Sequence, residues 1–157
     1  MPRMRIPTRI LRSAYRRAAL RASEAYYGLR GWRTVSAAGT RAKVHTENSY
    51  TRSEVRYFLL QEADVAGRFL NRLRPDDVFY DIGGNVGIYT VLAANILGGG
   101  RVIAFEPFPP NRRELERNIA LNNSDAEVLE VALADETGEP AFTSPAGCEE
   151  GCGIASI

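Results

Sequence analysis

The run Asp81-Ile82-Gly83-Gly84-Asn85-Val86-Gly87 sets a carboxylate directly before a glycine-rich turn, and Glu106 closes the next apolar run. These are the residues whose types and spacing suit chemistry. Glycine lets a ligand approach the backbone more closely than a β-carbon permits, and Asn85 tolerates left-handed dihedrals better than most residues. The dinucleotide pattern G-x-G-x-x-G, counted from Gly83, requires glycine where Asn85 and Ile88 stand, so it fails twice. No Gly-Lys-Ser/Thr of a phosphate-binding loop occurs either. A carboxylate at this turn disfavours a pyrophosphate and suits a ligand bearing an ammonium and a sulfonium. Glu106 is placed to accept hydrogen bonds from two ribose hydroxyls, which indicates a nucleoside without choosing among them. Asp81 beside a phosphate-free glycine turn points to S-adenosylmethionine.

The elements that must position these residues follow from pattern. Residues 62–74 predict a helix with Val65, Phe69 and Leu73 as its apolar stripe, stopped by Pro75. Asp76-Asp77 form a turn before the strand Val78 to Ile82. Ile88 to Leu97 reads as a helix with a buried face, ending at Gly98-Gly99-Gly100, and Arg101 to Phe105 is a second apolar strand. Asn111 is positioned to cap a third helix, with Glu114 three residues later as in a capping box, and Leu115 and Ile119 supply its stripe. Glu127 to Ala132 reads as a third strand. Strands alternating with helices predict an α/β fold: a Rossmann-like parallel sheet with flanking helices, whose ligand lies beyond the carboxyl ends of the strands.

Residues 1–45 hold eleven basic side chains, ten arginines and Lys43, against the single acid Glu24. The other 112 residues hold nine arginines against eighteen acids, so a basic arm precedes a mildly acidic domain at 46–157. Within the arm, Ile6, Ile10, Tyr15, Ala18, Ala22, Tyr26 and Leu29 approximate one face of a helix, and Arg5, Arg9, Arg12 and Arg16 form a second stripe. Such a helix packs on the domain, lies on an anionic membrane surface, or contacts nucleic-acid phosphates, in that order of preference. Trp32 to Thr46, with Val35 and Val44 flanking Ala38-Gly39, is a candidate hairpin. No run reaches the ~18–20 apolar residues of a membrane span. Two cysteines, Cys148 and Cys152, make half a zinc site at most, and His45 is the only histidine, so neither a hydrolase triad nor a three-histidine metal site has its materials. No metal is expected, His45 reads as a polar loop residue, and Tyr89 and Thr90 read as packing. A reducing, cytoplasmic setting fits, with peripheral membrane association through the arm as its variant.

VFYDIGGNVGIYT, RVIAFEP and ELERNIALNN resemble the FkbM-type methyltransferases of the class I S-adenosylmethionine-dependent group. The resemblance covers about Glu62 to Asp135. It implies that Asp81, Gly83, Gly84, Asn85 and Gly87 line the methionine end of the cofactor. It further implies that Glu106, with Pro107 beside it, holds the ribose, and that Asp135 lies near the adenine. It implies O-methylation of a small-molecule or sugar acceptor, with no residue assigned as general base. An RNA methyltransferase, less favoured, and a non-catalytic module working through its basic arm are the alternatives. The 82 residues from Asp76 onward suffice for one βαβαβ half of a doubly wound sheet, with GCGIASI resembling the entry to a fourth strand. The expectation is therefore a truncated product, partnered by a missing second half or by another copy at an exposed sheet edge.

Overall fold

The alternation of apolar and polar side chains in Trp32–Ala37 (β1) and Thr40–His45 (β2) buries Val35, Ala37, Ala42 and Val44 on one face and exposes Thr34, Ser36, Arg41 and Lys43 on the other. The strands pair antiparallel from Trp32↔His45 to Ala37↔Thr40. Ala38 and Gly39 between them both have positive φ, 52° and 76°, the sign required of the two central residues of a type I′ hairpin turn. The candidate hairpin is thus a hairpin. The computed structural model describes residues 26–135 and 138. The arginine-striped helix lies outside the described residues up to position 25. At its end, residues 26–30 are helical, and Tyr26 and Leu29 are exposed instead of forming a buried stripe. The described part of the stretch 1–45 is therefore mostly hairpin, and that hairpin belongs to the domain's core.

A helix that the sequence reading did not assign follows, Ser49–Tyr57 (α1). Asn48 caps it, its Oδ1 accepting from the Thr51 N–H at 2.8 Å. Thr51 and Val55 face the core. Phe58–Glu62 widens into a π-helical segment, and Ala63–Leu70 (α2) resumes the α-helix. The stripe expected on this stretch is corrected. Ala66 and Leu70 are the buried positions, whereas Val65 and Phe69 are substantially exposed. The helix also stops at Leu70, before Pro75, because Arg72 and Leu73 bond three residues back and tighten the last turn.

Val78–Ile82 (β3), Ile88–Ala94 (α3), Arg101–Phe105 (β4), Pro109–Leu121 (α4) and Glu127–Leu129 (β5) complete the described chain. The strands form a parallel sheet in the order β3-β4-β5, with Asp81↔Ala104 and Phe105↔Leu129 in register. This is the expected alternating α/β arrangement with helices on the sheet. The third strand is shorter than its expected range. Asn111 does not cap α4. Pro109 and Pro110 start that helix with their fixed φ, Phe108 takes the cap position, and Asn111 sits inside the first turn, 4% exposed. Glu114 instead accepts from Asn48 and Arg117. The hairpin lies against α1, α2, α3 and α4, and α3 also packs on β3 and β4, so that helix lies between the two sheets. Val35, Val44, Phe58, Leu70, Val91 and Leu92 are fully buried between the layers. Among the described residues no strand pairs with the outer edge of β3, where Val78, Tyr80 and Ile82 are at least half exposed. Cys148, Cys152 and the GCGIASI segment lie outside the described residues.

Candidate functional site

Asp81 and Glu106 stand at the carboxyl ends of neighbouring parallel strands, where the register Asp81↔Ala104 puts Glu106 two positions past its neighbour. The Asp81 carboxylate turns toward α3 and accepts from the Thr90 hydroxyl at 2.5 Å. Thr90 is fully buried. Its role is to hold the carboxylate, a contact that packing alone did not suggest. Burial pushes the Asp81 carboxyl above its ordinary value, the Thr90 hydrogen bonds oppose the rise, and the Glu106 charge adds to it.

Glu106 is 5% exposed and is already engaged by the backbone. Its Oε2 accepts from the Asn85 N–H at 2.8 Å and its Oε1 from the Phe108 N–H at 2.9 Å. One carboxylate therefore ties the glycine turn to the loop after β4, and each oxygen retains a further lone pair. This locking task was not legible in the sequence. Pro107 is half-buried on that same loop. Asp135 is exposed beyond β5.

The glycines divide into two jobs. A β-carbon on Gly84 would meet Leu115 Cδ1 at 2.7 Å and one on Gly87 would meet Leu115 Cγ at 3.0 Å, so these positions admit α4 against the turn. Gly83 shares the positive φ of Gly87, +76° against +81°, but its β-carbon position is open. At Gly84 and Gly87 the missing β-carbon thus makes room for Leu115.

Asn85 adopts φ +51°, and α1 grips its side chain from both ends. The Tyr50 hydroxyl donates to Asn85 Oδ1 at 2.6 Å, and Asn85 Nδ2 donates to Glu54 Oε2 at 3.0 Å. Burial, with the nearby Glu54 charge, pushes the Tyr50 phenol up, and burial raises the Glu54 carboxyl. Tyr89 stacks edge-on against Phe58 with ring centroids 5.8 Å apart. Tyr50, Glu54 and Glu62 are the site residues that sequence reasoning missed. The available signal was the Asn48 cap, which predicts a helix carrying Tyr50 and Glu54 one turn apart.

A cavity of about 210 Å³ opens here, lined by Glu54, Glu62, Asp81, Gly83, Asn85 and Tyr89 among others. No Lys, Arg or His is among the described residues that line it. His45 lies elsewhere, at the end of β2 and not in a loop, its Nδ1 buried without a partner. Among the described residues no cluster of His, Cys, Asp and Glu could hold a metal, and no helix is long and apolar enough to cross a membrane.

Residues 81–153 match the family profile described as the methyltransferase FkbM domain. This segment is similar to the FkbM methyltransferases. The chain is 39% identical over 83 residues to the AMB antimetabolite synthetase AmbE of Pseudomonas aeruginosa, covering 53% of this chain and 4% of that protein. It is 36% identical over 66 residues to the 31-O-demethyl-FK506 methyltransferase FkbM of Streptomyces tacrolimicus, covering 42% of this chain and 25% of that one. The chain thus spans a quarter or less of either relative. Among solved structures, TYW2 of P. horikoshii in complex with MeSAdo overlaps 69% of this chain and 39% of its own at 20% identity and a TM-score of 0.44. Trm5 of Methanocaldococcus jannaschii in complex with adenosine overlaps 66% and 30% at 18% identity and a TM-score of 0.43. The FkbM segment contains Asp81, the glycine turn, Glu106, Pro107 and Asp135; Tyr50, Glu54 and Glu62 lie outside it.

Proposed function

We propose that this chain carries the cofactor site of an S-adenosylmethionine-dependent methyltransferase of FkbM type, acting on a hydroxyl of a small-molecule or sugar acceptor. The observation that carries the reading is the charge of the cavity: Glu54, Glu62 and Asp81 line it without a described cation. Such a site disfavours phosphate and favours an ammonium or sulfonium, because an opposite charge stabilises ionised carboxylates held out of water. Its volume is below the ~300–1,000 Å³ of pockets that take a whole drug-sized ligand. It suits the amino-acid end of the cofactor, with the nucleoside extending over Gly83 toward Glu106.

When bound, the sulfonium supplies the transferable methyl group. The chain's own residues orient: Thr90 fixes Asp81, and Glu106 together with α1 fixes Asn85. Orientation of this kind contributes up to about 7–11 kcal/mol where two reactants are well aligned. Support for the acceptor class comes from the relative whose name specifies 31-O-demethyl-FK506 as its substrate.

Isothermal titration with S-adenosylhomocysteine tests the reading. The parent protein is expected to bind and the Asp81→Ala variant to lose at least tenfold in affinity, the scale of one charged hydrogen bond. Equal affinity in the two proteins, or no binding by the parent, overturns the proposal.

A further inference from the structure

Asp81 and the glycine turn belong to the FkbM segment, but the cavity's other acids come from α1 and the π-helical segment that follows it. Glu54 has one oxygen, Oε2, occupied by the Asn85 amide. Its other oxygen has no hydrogen bond to any described residue, on a half-buried side chain that lines the cavity. A single carboxylate can thus fix the turn with one oxygen and receive a ligand with the other, without moving between the tasks. Glu62, the last residue of the π-helical segment, lines the same cavity, and wide turns of this kind recur at functional sites. The Glu62 charge acts on both Glu54 and Tyr89, which places the acids within electrostatic reach of one another.

We propose that Glu54 is a ligand-binding residue whose free carboxylate oxygen accepts a hydrogen bond from the ammonium at the amino-acid end of the cofactor, with Glu62 adding negative charge to the same wall. This inference rests on the cofactor reading above and extends it: α1 selects for a positively charged tail, in addition to shaping the turn. A nucleoside lacking that tail gains nothing from Glu54.

The test compares two ligands, S-adenosylhomocysteine, which carries the ammonium, and 5′-methylthioadenosine, which shares the thioether nucleoside and lacks the amino-acid end. Glu54→Gln keeps an acceptor for Asn85 Nδ2 and removes the charge. It is expected to weaken S-adenosylhomocysteine about tenfold, as loss of a charged hydrogen bond does, and to leave methylthioadenosine within about twofold. Tyr50→Phe removes the other grip on Asn85 without changing charge, and it is expected to weaken both ligands by a similar factor. Circular dichroism melts confirm that each variant is folded. Unchanged S-adenosylhomocysteine affinity in Glu54→Gln overturns the proposal. So does an equal loss for both ligands, as in Tyr50→Phe, because Glu54 would then act only through Asn85. If the parent binds neither ligand, the cofactor reading itself fails, a result distinct from these two.

Discussion

Asp81 sets binding against stability. Its carboxyl is raised above the ordinary 3.8 chiefly by burial. The folded state therefore holds the proton more tightly than the unfolded chain does. The stability so contributed is full below about 3.8 and is lost as pH rises through the raised value. At neutral pH the ionised, buried carboxylate is a liability unless a cation sits beside it. Asp81→Asn, which keeps an acceptor for Thr90, is accordingly expected to melt higher than the parent at neutral pH while failing to bind S-adenosylhomocysteine. The parent's affinity for that ligand is expected to fall on mild acidification, since Asp81 and Glu54 both carry raised values and both must be ionised to attract the ammonium. Thermal melts and titrations across mildly acidic to neutral pH check both statements. The sign of the affinity change is the critical one, because two purely structural carboxylates predict none.

At the scale of elements, glycines mark where backbone meets backbone. A β-carbon on Gly100 would lie 2.1 Å from the Asp77 carbonyl oxygen, where the loop before β3 runs beside the start of β4. One on Gly98, two residues earlier, meets nothing within 4 Å. Gly100→Ala is expected to cost at least the ~1–3 kcal/mol of ordinary overpacking, and Gly98→Ala much less. Gly84→Ala falls with the costly group, because the Leu115 side chain it would strike is fully buried and has little room to yield. Urea denaturation of the three variants orders them.

The strands β3 and β4 were legible to the residue, since each is a short apolar run bounded by turn residues and glycine. The hairpin was legible from Val35, Val44 and the Ala38-Gly39 turn between them. The register of α2 was not, because Val65 with Phe69 and Ala66 with Leu70 are both apolar pairs four residues apart, and side-chain size favours the pair that the structure leaves exposed. Glu54 was illegible for a different reason. On sequence it is one more acid on a helix, and only its placement against Asn85 distinguishes it from a solvated one. Asn111 followed a sound capping rule and lost to the two prolines ahead of it.

At the scale of the whole molecule, two asparagines one turn apart, Asn118 in α4 and Asn122 at its carboxyl cap, tie that helix to the hairpin. Asn118 is fully buried; its Oδ1 accepts from the His45 N–H at 2.8 Å and its Nδ2 donates to the Val86 carbonyl at 2.8 Å. One side chain thus joins the hairpin, the helix and the glycine turn. Asn122 makes a similar two-ended bridge to the Lys43 backbone, with its Oδ1 accepting at 2.8 Å and its Nδ2 donating at 2.7 Å, but at an exposed site. The bonds are alike in geometry, so their energetic difference comes from water. Removing Asn118 strands a buried carbonyl and a half-buried N–H, each costing roughly 1–3 kcal/mol, whereas the Lys43 groups can turn to solvent. Asn118→Ala is therefore expected to destabilise by about 2–4 kcal/mol and Asn122→Ala by less than about 1 kcal/mol. Because Val86 lies between Asn85 and Gly87, Asn118→Ala should also loosen the turn and weaken S-adenosylhomocysteine binding under conditions where the variant remains folded. Asn122→Ala should leave that binding unchanged. Equal destabilisation by the two substitutions, or a normal ligand affinity in folded Asn118→Ala, would show that the hairpin and the ligand turn are not energetically joined through α4.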